Sequence, residues 1–169
     1  SLTGSTFLNN MATVGGAISA TGLDELSISN SDFLDNEAIR AGAILVGNAN
    51  LLTIAKSSIT GNRADVGGGI YAAADMNNLD SVSVIANTAK RAGGIDHEAG
   101  ELHILNSTIS GNSAQCDPGV VTYCGEAGGI RVGGISAMIE LTSIVENQAS
   151  RFGGGLSSYL PVEFANTVL

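Results

Sequence analysis

The chain has 169 residues and a formal net charge of −9, with 44% of its residues hydrophobic and 14% charged. This balance excludes a disordered chain, and no apolar run approaches the roughly 18 residues of a spanning helix, so no membrane insertion is expected. The acidic surplus argues against nucleic acid, which is bound by clustered Lys and Arg. Twenty-three glycines disfavour a helical fold, yet Leu, Ile and Val suffice for a core.

In chain order, the first unit carries Phe7, then Asn10 three residues on, Ala12 two further, and Gly15-Gly16-Ala17-Ile18. The pattern recurs. Asparagines stand at Asn10, Asn36, Asn62, Asn87, Asn112 and Asn147, each three residues after Phe7, Phe33, Ile59, Val84, Ile109 and Ile144. An aliphatic in a glycine-rich frame follows at Ile18, Ile44, Ile70, Ile95, Ile130 and Leu156, on time in the first four units, ten residues late in the fifth and one late in the sixth. A period near 25 marks a solenoid. Alternating runs such as Leu26-Ser27-Ile28-Ser29 and Leu102-His103-Ile104-Leu105 have strand periodicity, so each unit reads as one coil of a parallel β-helix built from three short strands. Stacked at roughly 4.8 Å, six to seven such coils form one domain over residues 1–169, about 30 Å long. The Phe/Ile positions then form an interior ladder, the asparagines line a turn where each carboxamide bonds neighbouring coils, and the glycines serve tight corners.

Phe7-Leu8-Asn9-Asn10 and Phe33-Leu34-Asp35-Asn36 match F-x-x-N, and Gly15-Gly16-Ala17-Ile18 matches G-G-A-[ILV]. In this pairing the chain resembles the polymorphic outer membrane protein repeat of chlamydial autotransporters, from Leu2 to about Phe164. The resemblance implies a right-handed parallel β-helical passenger, secreted or displayed at the cell surface, with a role in adhesion. Departures are visible: four units replace Phe by Ile or Val, and one alone has an unaltered G-G-A-I. The implied partners are a host or neighbouring cell surface, a glycan, or a further copy stacked end to end. The chain opens and closes inside a unit, with Leu2–Phe7 and Phe164–Leu169 sharing one spacing, so a segment of a longer protein or a stacking unit is expected.

The fifth unit's extra residues form an inserted loop at 113–127 containing Cys116 and Cys124 around Pro118-Gly119. Two cysteines in one excursion read as a disulfide, which places the chain in an oxidising compartment; without a nearby His they do not complete a zinc site. Among chemistry-bearing residues, Asp96-His97-Glu98 is the densest ionisable cluster, and the register places Tyr71 one coil to one side and Arg131 one coil to the other. These residues read either as a site that binds or cuts a polysaccharide or as an outward Asp96–Arg131 pair between coils. Asp75, Asn77 and Asp80 put oxygen ligands in what reads as a long turn, either a loose Ca²⁺ site or a plain polar turn. A column four residues after the asparagines, Val14, Arg40, Val66, Arg91 and Arg151, reads as solvated charge too sparse for an anion groove. No cofactor is expected.

Overall fold

The computed structural model describes residues 1–117 and 124–169. Among the described residues, twenty strands and no helix wind into a β-solenoid of about six turns with roughly 26 residues per turn, and every strand pairing there is parallel. No helix among the described residues is long and apolar enough to cross a membrane. An 11-stranded sheet makes the broadest wall, from Leu2–Thr3 (β1) to Val162–Ala165 (β20), with Ile44–Ala55 (β6) and Ile70–Asp80 (β8) running its full width. A six-stranded sheet from Thr6–Leu8 (β2) to Ser143–Val145 (β17) makes the second wall. The third is a three-stranded sheet extended by isolated bridges such as Met11–Glu37–Arg63–Thr88.

The repeat dictates this register. Phe7 pairs with Phe33, Phe33 with Ile59, and so on through Val84, Ile109 and Ile144; Ile18, Ile44, Ile70, Ile95, Ile130 and Leu156 form a second ladder. A third runs Leu2, Ile28, Ile54, Leu79, Ile104, Ile139 and Phe164. These ladders meet in one buried core, where Phe7 and Phe33 stack with ring centroids 5.0 Å apart. Alternating side chains along each strand send one face inward, so a core one coil wide is filled by branched aliphatics.

Between walls, each coil turns at left-handed residues. One column comprises Asn9, Asp35, Gly61, Ala86, Gly111 and Glu146, another Gly15, Ala41, Gly67, Ala92, Ala127 and Gly153, all with φ between 52° and 70°. The left-handed corners therefore accept Asn, Asp, Ala and Glu as well as glycine. The strict glycines are the next residues: Gly16, Gly42, Gly68, Gly93 and Gly128, where an added Cβ would overlap the carbonyl oxygen of the equivalent glycine on the following coil. Backbone proximity between coils, more than positive φ, makes that column glycine.

The asparagine column lies inside its corner. Asn62 Oδ1 accepts the Asn36 backbone N–H and Nδ2–H, both at 2.9 Å, while Asn62 Nδ2 donates to Asn87 Oδ1 at 2.9 Å and to the Phe33 carbonyl at 3.0 Å. The same set links Asn10, Asn36, Asn87, Asn112 and Asn147. A hydroxyl ladder at another corner uses Ser31, Ser57, Ser107 and Thr142. A disulfide joins Cys116 and Cys124. Of the inserted loop read at 113–127, residues 118–123 lie outside the described residues. Its flanks are tied to the coils: Asp117 Oδ2 sits 3.0 Å from Lys90 Nζ, which also reaches Asp65 at 3.2 Å, and Gly125 N–H donates to the Lys90 carbonyl at 2.6 Å. The Asp117 and Asp65 carboxylates raise the Lys90 pKa.

Candidate functional site

Two outward columns meet at the corner that follows the strict glycines. One column is the residue after each frame aliphatic: Ser19, Leu45, Tyr71, Asp96, Arg131 and Ser157, paired in that order across the coils. The other lies four residues before the aliphatic, and its bridges run Val14–Arg40–Val66–Arg91–Glu126–Phe152. Here the structure corrects the column read from the sequence, which placed Arg151 after Arg91. Counting forward from the asparagine fails once ten residues intervene; counting back from Ile130 and Leu156 reaches Glu126 and Phe152.

At this corner Asp96 is fully buried between two guanidiniums. Arg91 donates to Asp96 Oδ2 through Nη2 at 2.8 Å and Nε at 3.1 Å, and Arg131 Nη1 donates to Oδ1 at 3.0 Å. Glu98 Oε2 bridges the same two arginines at 3.2 and 2.9 Å. Burial pushes the Asp96 carboxyl up, against the pull of Arg91 and Arg131 in the other direction. Burial also acts to lower the Arg131 pKa, but Asp96 and Glu98 outweigh it and hold that pKa above its ordinary value. One coil away, Tyr71 lies under the Arg40 guanidinium, 5.3 Å from the ring centroid. Burial, with Glu98 and Asp96 nearby, raises the Tyr71 phenol. The cluster is thus a desolvated charge network and not an exposed outward pair.

His97 does not join it. Strand alternation turns its ring inward, into the column of Ala20, Val46, Ala72 and Val132, where it is fully buried. The grouping of Asp96, His97 and Glu98 on one surface is corrected accordingly. Neither ring nitrogen has a hydrogen-bond partner among the described residues, and the ring lies against Gly134, where a Cβ would collide with it. Burial lowers the His97 pKa to about 4, partly offset by the backbone of Ala99 and Gly100. An unfolded histidine protonates near 6.5, so between those values the unfolded chain holds more protons and the fold loses stability as pH falls. The loss should reach roughly 3 kcal/mol by pH 4. Denaturation midpoints measured from pH 7.5 to 4 should therefore fall more steeply for the parent than for His97→Val, which copies the Val46 and Val132 positions; equal slopes would refute a neutral buried ring.

Beside the charge network lies a hollow of about 300 Å³ walled by Arg91, Arg131, Arg151, Glu126, Phe152 and Tyr159, with the disulfide cysteine Cys124 at its edge. Glu126 accepts a hydrogen bond from the Ser157 hydroxyl at 3.1 Å and lies 3.7 Å from Arg131 Nε. Arg151 stacks on Phe152 at 4.9 Å, and Tyr159 is 78% exposed. Of these residues, sequence reasoning singled out Arg131, Arg91 and Arg151 but missed Tyr159 as well as Glu126 and Phe152, the last two of which the frame-aliphatic count would have brought into the Arg91 column.

The residues 75–80 form part of β8 and not a turn. Asp75 and Asp80 are exposed while Asn77 is buried, so the three oxygens do not converge. Asn77 occupies the interior ladder between Leu52 and Leu102, accepts the Ala74 N–H at 3.2 Å and donates to the carbonyls of Ala74, Ala99 and Glu101. It satisfies the backbone where Glu98–Gly100 leaves the wall. No group of three metal-ligating side chains occurs among the described residues.

No curated protein and no solved structure matches the chain significantly. A family model does: the Chlamydia polymorphic membrane protein (Chlamydia_PMP) repeat matches residues 4–21, so the first coil, with Phe7, Asn10 and Gly15-Gly16-Ala17-Ile18, carries the repeat of that family.

Proposed function

We propose that this chain is a rigid extracellular β-solenoid module, secreted or held at a cell surface, that presents its turns and the disulfide-tied loop for adhesion. The repeat match at residues 4–21 is the observation that carries this reading. Three further features support it. The carboxamide ladder runs unbroken from Asn10 to Asn147 and locks successive coils together. The disulfide suits an oxidising compartment. The net charge of −9 keeps an exposed module soluble. Its partners are a host or neighbouring cell surface, a surface glycan, or another copy.

A polysaccharide-cleaving role centred on Asp96, His97 and Arg131 has less to recommend it. Both Asp96 oxygens are taken by guanidiniums and the His97 ring lies inside the coil, so neither offers a proton-transfer group to a sugar. The adhesive reading predicts saturable retention of fluorescently labelled protein on bacterial or eukaryotic cells, lost when the solenoid is unfolded by Gly68→Ala. Retention on neither cell type, together with a monomeric species in sedimentation, would overturn it.

A further inference from the structure

We infer that the hollow walled by Arg91, Arg131, Arg151, Glu126, Phe152 and Tyr159 binds a carboxylate-bearing sugar, such as a uronate residue of an extracellular polysaccharide. This deepens the adhesive reading by naming a ligand class, and it rests on that reading only for the setting in which the sugar is met.

The charge distribution is the first support. The chain has seven Lys and Arg residues against sixteen Asp and Glu, yet three of the seven border this one hollow. Two of them are held in place. Asp96 and Glu98 fix the Arg91 and Arg131 guanidiniums from behind, through Nε and Nη2 of the first and Nη1 of the second. Arg91 Nη1 and Arg131 Nη2 make no hydrogen bond among the described residues, so each arginine keeps donors for a ligand. A planar guanidinium whose orientation is already set binds a carboxylate with little further ordering.

The acids narrow the ligand. Arg91, Arg131 and Arg151 are matched by Asp96, Glu98 and Glu126, which leaves the cluster close to neutral overall. Such a site suits one carboxylate accompanied by hydroxyl donors, and Glu126, oriented by Ser157, is an acceptor for a hydroxyl. A phosphate or sulfate dianion would meet Glu126 at the same wall. Phe152 and Tyr159 supply the apolar faces on which a sugar ring packs, the mixture of flat apolar surface and a few placed polar groups that ligand sites use. At about 300 Å³ the hollow has room for a sugar unit of a chain that continues into solvent.

The test uses the oxidised protein and calorimetric titration with oligogalacturonate, with neutral galactose oligomers of equal length and with galactose 6-phosphate. Oligogalacturonate should bind, with the neutral oligomer and the phosphate at least about tenfold weaker. Tyr159→Ala, at an exposed position, should weaken the acidic oligomer roughly tenfold while leaving the melting temperature unchanged, and Arg151→Gln should weaken it by a similar factor under conditions where circular dichroism shows the variant folded. No binding of the acidic oligomer, equal binding of the neutral one or the phosphate, or unchanged affinity in both variants would overturn the assignment. Cell retention without uronate binding would overturn this site and leave the adhesive module standing; uronate binding by a monomeric species retained on neither cell type would do the reverse.

Discussion

Gly68→Ala is expected to cost roughly 3–5 kcal/mol, or to prevent folding outright. The methyl group would be built onto the carbonyl oxygen of Gly93 on the next coil, with the Thr88 carbonyl oxygen 2.6 Å away. Both obstacles are backbone and cannot rotate aside. Relief requires the coils to separate, and the bonds at stake run on both sides: Gly68 N–H to the Ala92 carbonyl at 2.9 Å, and Gly42 N–H to the Gly67 carbonyl at 3.0 Å. In a solenoid each coil is stabilised mainly by its neighbours, so a wedge in the middle loosens both halves. The control is Gly111→Asn. Gly111 has φ 63°, but no atom lies closer than 3.9 Å to its added Cβ, and Asn9, Asp35, Ala86 and Glu146 hold the same position on other coils. That change should move stability by less than about 1 kcal/mol. Chemical denaturation of both variants separates the two reasons for glycine. Comparable losses would mean that the left-handed corner at position 111 demands glycine as strictly as the approach of the next coil does at position 68.

That distinction also marks how far the fold was legible in the sequence. The interior ladders follow from spacing alone, because a period near 25 and strand alternation determine which residues stack and which face inward. The same alternation, applied one residue further, places His97 inside; grouping it with Asp96 and Glu98 by proximity in sequence overlooked that. The pairing of Arg91 with Asp96 escaped for another reason. Its contact with Asp96 crosses a corner, and which outward residues share a corner depends on the turn's three-dimensional path and not on the repeat count. Glu126 and Phe152 were hidden by the late frames of the last two units, which break the count from the asparagines while leaving the count from the aliphatics intact. Asn77 sits at a Leu position of its ladder, and only the departure of the chain at Glu98–Gly100 explains why a carboxamide belongs there.

Asn62→Ala is expected to cost about 3–5 kcal/mol, and Asn62→Asp more at neutral pH. The alanine leaves the Asn36 backbone N–H and Nδ2–H, both buried, without their shared acceptor, and removes the donor that serves Phe33 O, Thr60 O and Asn87 Oδ1. An aspartate restores the acceptor for Asn36 but turns its second oxygen toward those same three acceptors, in the fully buried interior. Only the protonated acid can donate there. Its folded pKa must then lie above the unfolded value, so the native state binds the extra proton, and the penalty shrinks as pH falls below the folded pKa. The Asp variant should thus gain stability relative to the Ala variant on acidification, while the parent loses it through His97. Asn10→Ala supplies the comparison at the end of the ladder: Asn10 donates to Asn36 Oδ1 at 2.8 Å, but its side chain lies at an exposed position. Water replaces that bond, and the cost should stay near 1 kcal/mol. Urea midpoints for the four proteins at pH 7 and pH 4 decide the matter. Equal costs at positions 10 and 62 would show that the carboxamides merely fill space, whereas a steep gradient from the end to the middle, with the Asp variant recovering in acid, is what a hydrogen-bonded column running through the stack requires.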